Sequence, residues 1–374
     1  MSATGVGPQA WTAQQVRDTS SWVLHLQPQH HVALDKALEY ATRHQKPLLQ
    51  WQQEDFPLDP SMRTLLAQAI ATTQGRWGMC LIKGFPVDRW SEHQTRLAYW
   101  GMGLYMGVVR PQNRNSDVMT DVRDAGGSYK VKGGRGYNTN AELDFHIDSA
   151  DVVSLLCRRT ARAGGQSKVV SSLAIRDEVA RIRPDLLIVM QQPFLHSYQG
   201  AQDPRQPPYY GCPIFAEQNG VFAARSNRKN IVAVERDFEQ APRLTPQQIE
   251  ALDLLDELMR SEDFCYDMQL EPGDMQLLNS YVTLHSRTAF EDFEEPDRKR
   301  HLIRLWLAIT SSQPLPDSWE EYFIDVRPGV VRGGMRGQGI TPEFAAYESR
   351  QAKVLGMQHM NWDQAMSRLF PKRE

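Results

Sequence analysis

The chain of 374 residues is poor in cysteine: Cys80, Cys157, Cys212 and Cys265 are scattered, with no CxxC pair. That argues against a disulfide scaffold or a cysteine-based zinc site, and fits a reduced, cytoplasmic protein whose thiols are small core residues. Net charge is also nearly absent, with 42 basic against 45 acidic residues. No basic block calls for nucleic acid, and no acidic tail calls for disorder. No apolar run approaches the roughly 20 residues that span a bilayer, so no membrane role is expected. Residues 1–7 are small and polar, without an apolar signal core. Internal repeats and low-complexity linkers are missing as well. What is present is 41% hydrophobic residues, enough to bury a large core.

Local signals give an element order. Residues 1–30 read as a loose start with one anchored piece, Ser21–Leu26. Asp35–Arg43 has helical spacing. Asp59-Pro60 is a helix start, and the helix should run to about Thr73 with Met62, Leu65, Leu66 and Ile70 inward. Met79–Ile82 reads as a buried strand and Ser91–Met106 as a helix. From 110 to 142 the pattern breaks down into a polar stretch with Gly126, Gly127, Gly133, Gly134 and Gly136. A structureless segment of that length is usually functional or disordered. It reads as a lid or substrate loop, whose Lys130, Lys132, Arg135 and Asn138 either meet a polar or anionic substrate or are simply solvated.

Val152–Cys157 is an apolar strand, and Gly164-Gly165 reads as a hairpin turn with a return strand from Lys168. Ser172 caps a helix to about Ile182. Residues 194–240 read as turns and short strands. Thr245-Pro246-Gln247-Gln248 is a capping box that opens a helix with Ile249, Leu252, Leu255 and Leu258 inward. Strands follow at Met275–Leu278 and Arg300–Leu307, and helices near Ser318–Phe323, Thr341–Ala352 and Asn361–Leu369. Short strands with turn signals and a few helices predict a mainly β chain with flanking helices (α+β). The expected core is a double-stranded β-helix, a cupin-like jelly roll. One domain over 1–374 is expected. It divides into an N-terminal helical segment 1–77, a core 78–312 with the 110–142 loop and a 245–260 helical insertion, and a C-terminal helical extension 313–374.

The chemistry concentrates in Leu143-Asp144-Phe145-His146-Ile147-Asp148-Ser149. Read as a strand, it turns Asp144, His146 and Asp148 to one face and the apolar residues to the other. H-x-D is two thirds of a 2-His-1-carboxylate triad, which holds non-haem iron(II) and leaves coordination positions open. His285, 137 positions after Asp148, is the candidate third ligand. Fifteen residues further on, Arg300 opens an apolar strand on which Arg300, Leu302, Arg304 and Trp306 share a face. Two arginines on the inward face of such a strand require carboxylates, supplied by a ligand or by Asp292 or Glu294.

H-x-D, Gly-Gly, a Gly-Asp strand, a distal His and Arg-x-x-x-Arg, in that order, resemble the TauD/TfdA family of taurine dioxygenase-like Fe(II)/2-oxoglutarate-dependent oxygenases. The resemblance runs from about Gly78 to Ala308. It implies that His146, Asp148 and His285 ligate iron(II) and act as the catalytic centre. It implies that Arg300 and Ser167 hold the distal carboxylate of 2-oxoglutarate, with Arg304 near the cosubstrate or the substrate. Ser167 stands where family members often have Thr, which keeps the hydroxyl. The cosubstrates implied are 2-oxoglutarate and O2, with release of succinate and CO2. Hydroxylation, desaturation or cyclisation of a small organic substrate are all compatible. Halogenating relatives lack the carboxylate ligand, so Asp148 favours oxygen insertion or hydrogen abstraction. On the substrate side, Asn138, Asn140 and Arg287 are candidates, Arg287 also as an ion-pair partner of Asp292. Asp144 is either a support of the metal face or a surface charge.

Two other readings fit the residues: a non-catalytic metal or 2-oxoglutarate-binding member of the fold, and a zinc-dependent cupin-like hydrolase or isomerase. The second leaves the two arginines without a cosubstrate. Self-association is compatible with the sequence, which fixes no symmetry.

Overall fold

A computed structural model describes residues 7–44, 46–128, 131–336 and 340–371; Lys130 lies outside them. Two opposed sheets form the centre. The larger has seven strands. Its order is Val23–His25, Met79–Lys83, Met275–Asn279, Val152–Arg159, His301–Ala308 and Val108–Val109, with Thr120–Val122 also paired to His301–Ala308. The smaller runs Tyr266–Met268, Ser167–Ser171, Thr283–Arg287, Leu143–His146. Between them lies a core that includes Leu278, Val153, Cys157, Val169, Met268, Leu302 and Trp306. This is the expected jelly-roll core. Outside the larger sheet, Pro28–Thr42, Pro60–Thr73 and Glu92–Met106 pack a second core. The helices Ser172–Ile182, Pro184–Met190 and Pro246–Arg260 cover the other side.

The Asp59 and Thr245 capping signals hold, whereas Ser172 is a correction: the cap is Ser171, whose hydroxyl accepts from the Ala174 amide, and Ser172 is the first residue of the helix. Asp59 accepts from the Met62 amide and Ser91 from the Gln94 amide, and Thr245 with Gln248 closes a capping box. Ile249 is a correction: it is 44% exposed, and the buried residues of that helix are Ala251, Leu252, Leu255 and Met259. The N-terminal stretch is tied down further than expected. Thr12 caps a short helix Ala13–Arg17, and the Trp11 indole donates to the Trp77 carbonyl at 3.0 Å. Two helices stand where turns were expected to dominate or a helix to stop, at Arg228–Asp237 and Pro184–Met190. All four cysteines are free and buried, and burial pushes each thiol up to about 12.

The Gly164-Gly165 hairpin is also corrected. Val152–Arg159 belongs to the larger sheet and Ser167–Ser171 to the smaller, so the chain crosses between sheets here. Ala163–Gly164 pairs instead with Phe290–Glu291. Both glycines have positive φ, +71° and +78°. A Cβ on Gly164 would sit 2.2 Å from the Ala289 carbonyl oxygen, and one on Gly165 3.0 Å from Arg300 Nε. Glycine is needed for the backbone conformation and for close approach together.

Candidate active site

His146 ends the Leu143–His146 strand and pairs across the sheet with His285 of Thr283–Arg287. Asp148 follows two residues later. One ligand atom from each of the three lies within 4.8 Å of the others, a spacing that suits a single metal ion. Asp148 Oδ2 is 3.7 Å from His285 Nε2, and the two imidazole centroids are 4.4 Å apart.

Each donor is prepared for that role. His146 Nδ1 lies 2.8 Å from the Asp144 carbonyl oxygen. A carbonyl only accepts, so Nδ1 carries the proton and Nε2 keeps its lone pair. Asp144 thus supports the face through its backbone, while its carboxylate lies 3.7 Å from Arg260 on the Pro246–Arg260 helix. Burial, then the adjacent His146 ring, push His285 down to about 3, so its ring is neutral. Burial alone would raise the Asp148 carboxyl. Arg304, then His285 and His146, outweigh it and hold the group below its ordinary value. Arg304 Nη1 is 3.3 Å from Asp148 Oδ1, and its Nε donates to Gln112 Oε1 at 2.7 Å.

Arg300 behaves differently. Its backbone amide donates to Asp292 Oδ1 at 2.7 Å, but its guanidinium Nη1 is buried with no hydrogen-bond partner among the described residues. The side chain passes over Gly165 and stacks on Phe290, 5.0 Å from the ring centroid. Burial lowers it to about 10, so it remains charged at neutral pH. An unpaired buried guanidinium in a cavity is costly unless a ligand anion completes it. Ser167, on the neighbouring strand, donates its hydroxyl to Gln276 Oε1 at 3.1 Å.

One cavity collects His146, Asp148, His285, Ser167, Arg287, Arg300 and Arg304. Leu302 and Trp306 line it too, as the shared strand face requires. Asn138 and Asn140 are not among its lining residues. Their backbones brace the fold instead: the Asn138 carbonyl accepts from Ala125 and Gly127, and the Asn140 carbonyl from Phe290. Arg287 donates to the carbonyls of Ala141 and Thr288. The 110–142 segment is partly regular, and it contributes Val122, Arg135, Gly136 and Tyr137 to the cavity wall.

The family model for the taurine catabolism dioxygenase TauD, TfdA family matches residues 44–306. The chain belongs to the TauD/TfdA dioxygenase family. Among this family enzyme's curated relatives, FR-33289 synthase of Streptomyces rubellomurinus is 30% identical over 320 residues, spanning 83% of this chain and 92% of the relative. The taurine hydroxylase-like protein SAT17 of Stachybotrys chartarum is 27% identical over 258 residues, spanning 66% and 64%. In fold it resembles asparagine oxygenase, solved with Fe(II), 3-hydroxyasparagine and succinate (TM-score 0.60, 17% identity, 77% of this chain and 93% of that one). It also resembles the non-haem iron oxygenase OrfP, solved with Fe and α-ketoglutaric acid (TM-score 0.56, 14% identity, 76% and 94%).

Part of the dioxygenase's cavity is invisible to motif reading. Arg225, Asn227, Lys229 and Asn230 come from a turn-rich stretch, and Tyr322, Arg336 and Trp362 from beyond the family match. The available signal was Arg225 closing the apolar run Val221–Ala224, a charge where a buried strand ends.

Proposed function

We propose that the enzyme hydroxylates a small organic substrate with iron(II), 2-oxoglutarate and O2, and that His146, Asp148 and His285 hold the iron. The observation that carries this is the pairing, in one cavity, of a His-Asp-His set with the buried Arg300 guanidinium, whose Nη1 has no hydrogen-bond partner among the described residues. A zinc hydrolase would give Arg300 nothing to bind. The names of the relatives support the reaction class: a taurine hydroxylase-like protein, and an oxygenase solved with a hydroxylated amino acid and succinate.

When bound, iron(II) supplies the activation of O2: a substrate C–H, O2 and 2-oxoglutarate give the alcohol, succinate and CO2, one oxygen atom entering each organic product. The protein's part is positioning. Arg300 takes the distal carboxylate of 2-oxoglutarate through charge-assisted hydrogen bonds, and the Ser167 hydroxyl adds one more by turning its proton from Gln276 Oε1 to that carboxylate. Arg304 holds the Asp148 carboxylate ionised and in place. Tyr137 and Arg135, with Tyr322 and Trp362 from the C-terminal segment, wall off the substrate side and limit water. Because that segment completes the cavity, residues 1–374 are read as one oxygenase unit. Among the described residues, no helix is long and apolar enough to cross a membrane.

The test is anaerobic addition of iron(II) and 2-oxoglutarate to metal-free protein, followed by the visible iron-to-oxoacid charge-transfer band. The band is expected in the wild type, weakened in Arg300→Ala, and absent in His146→Ala. A folded wild type without the band overturns the assignment.

A further inference from the structure

Among the described residues, seven cationic ones line the cavity, Arg135, Arg225, Lys229, Arg287, Arg300, Arg304 and Arg336, against a single carboxylate, Asp148. Several are accounted for. Arg300 faces the cosubstrate in the reading above, and Arg304 lies on Asp148. Arg336 donates to Glu348 at 2.9 and 3.0 Å, and Arg287 to two backbone carbonyls. Arg135, Lys229 and Arg225 remain, and of these Arg225 is the most deeply set beside the metal-face strand.

Arg225 is 5% exposed and has no carboxylate within ion-pair distance among the described residues. Its Nε donates to the Tyr210 hydroxyl at 2.9 Å, and Nη2 donates to the same oxygen. The guanidinium lies 3.8 Å from the centroid of the Tyr322 ring. Nη1 is buried with no hydrogen-bond partner among the described residues. Tyrosines fix the plane of the group without neutralising it. A buried cation held this way is costly unless an anion completes it.

Its neighbours point the same way. The Ile147 amide donates to the Ser226 carbonyl, and Asn227 bridges to His146, so this stretch runs beside the metal-face strand. Asn227 caps the Arg228–Asp237 helix and presents Lys229 and Asn230 to the same cavity. Lys229 donates to the Gly134 carbonyl and to Gln199 Oε1. Arg135 donates to the Gln112 carbonyl at 3.1 Å.

We infer that the primary substrate carries a compact oxyanion head group, and that Arg225, with Lys229 and Arg135, holds it while the carbon to be oxidised faces the His146–Asp148–His285 set. This rests on the function proposed above. Tyr322, beyond the family match, is the positioning residue that keeps the Arg225 plane toward the cavity.

The test uses the enzyme loaded anaerobically with iron(II) and 2-oxoglutarate. The probes are propylphosphonate, propanesulfonate, butyrate and uncharged 1-butanol, titrated by calorimetry. At least one anion is expected to bind, with 1-butanol silent, and the tightest names the head group. Arg225→Gln should weaken that anion about 10- to 100-fold. It should leave the charge-transfer band intact, which also shows that the variant folds. Arg225→Lys should recover part of the loss. A wild type with the band that binds none of the anions, or binds 1-butanol equally well, overturns the inference alone. So does an Arg225→Gln enzyme with undiminished anion binding. A wild type without the band overturns the underlying function instead.

Discussion

The Arg304 guanidinium lies 3.3 Å from Asp148 Oδ1 and 3.5 Å from Oδ2, with Gln112 fixing its Nε from the other side. Both partners are buried. Arg304 also lies 4.8 Å from the Trp306 ring centroid, so its plane is set by packing as well as by charge. Such a contact orients a ligating carboxylate. Arg304→Leu should therefore weaken iron(II) or cobalt(II) binding by roughly 10- to 100-fold. Metal titration without cosubstrate checks this. Unchanged metal affinity with impaired 2-oxoglutarate binding would move Arg304 to the cosubstrate instead.

Ser167 and Arg300 should divide the cosubstrate's distal end unequally. Ser167 already has a partner in Gln276, whose Nε2 in turn lies 3.1 Å from Met268 Sδ. Its single hydroxyl proton must leave Gln276 Oε1 to reach the carboxylate, so the exchange is worth about 0.5–1.5 kcal/mol net. Ser167→Ala should raise the KM for 2-oxoglutarate roughly 2- to 10-fold with kcat little changed. Arg300→Ala should cost more, since it removes charge and leaves a buried carboxylate unpaired. Equal effects of the two substitutions would contradict this division.

The parts of the site visible in the sequence are those whose residue type and local spacing already constrain chemistry. His146 and Asp148 are two apart on a strand, and Arg300 and Arg304 share a strand face. His285 needed only the fold to carry it across to His146. Arg225 was not visible, because an arginine in a turn-rich stretch is ordinarily solvated. Its significance comes from having no carboxylate beside it among the described residues, and that is a property of three dimensions. Gly164-Gly165 shows a related ambiguity. A tight turn and a crossing between sheets both ask for positive φ, and only the partner strand, Phe290–Glu291, tells them apart. Ile249 fits the helical period, yet periodicity does not say where the neighbouring Pro184–Met190 helix stops covering Pro246–Arg260.

Anion binding should depend on pH through Lys229. Burial, then Arg135 and Arg236, lower its ammonium to about 7, with Asp144 and Asp237 opposing. The group is charged below that value and loses its charge as pH rises through it. With propanesulfonate, which does not titrate in this range, affinity should be level near pH 6 and fall as pH rises past about 7. Lys229→Met should bind more weakly at pH 6 and lose the dependence. A wild-type profile flat from pH 6 to 8 would remove Lys229 from the head-group contacts.

The C-terminal segment is anchored by Arg332, and the anchor should be felt in stability. Arg332 Nε donates to Asp151 Oδ1 at 2.8 Å, and both side chains are fully buried. Asp151 also accepts from the Tyr281 hydroxyl at 2.7 Å and from the Ile309 amide at 3.0 Å. The remaining Arg332 nitrogens donate to the carbonyls of Gln313, Val326 and Arg327. This network ties the stretch leading to Met335 and Arg336, both in the cavity wall, to the residues just after Asp148. Breaking a buried pair from one side leaves an uncompensated charge. Arg332→Gln should therefore lower unfolding stability by about 3–5 kcal/mol, and Asp151→Asn by a similar amount. The double variant should cost less than the sum, because neither charge is then left behind. Urea unfolding of the four proteins measures the coupling, with m-values compared to exclude a change in the unfolded state. Strictly additive losses would mean that Asp151 and Arg332 act separately, and that the C-terminal segment is held by its apolar contacts.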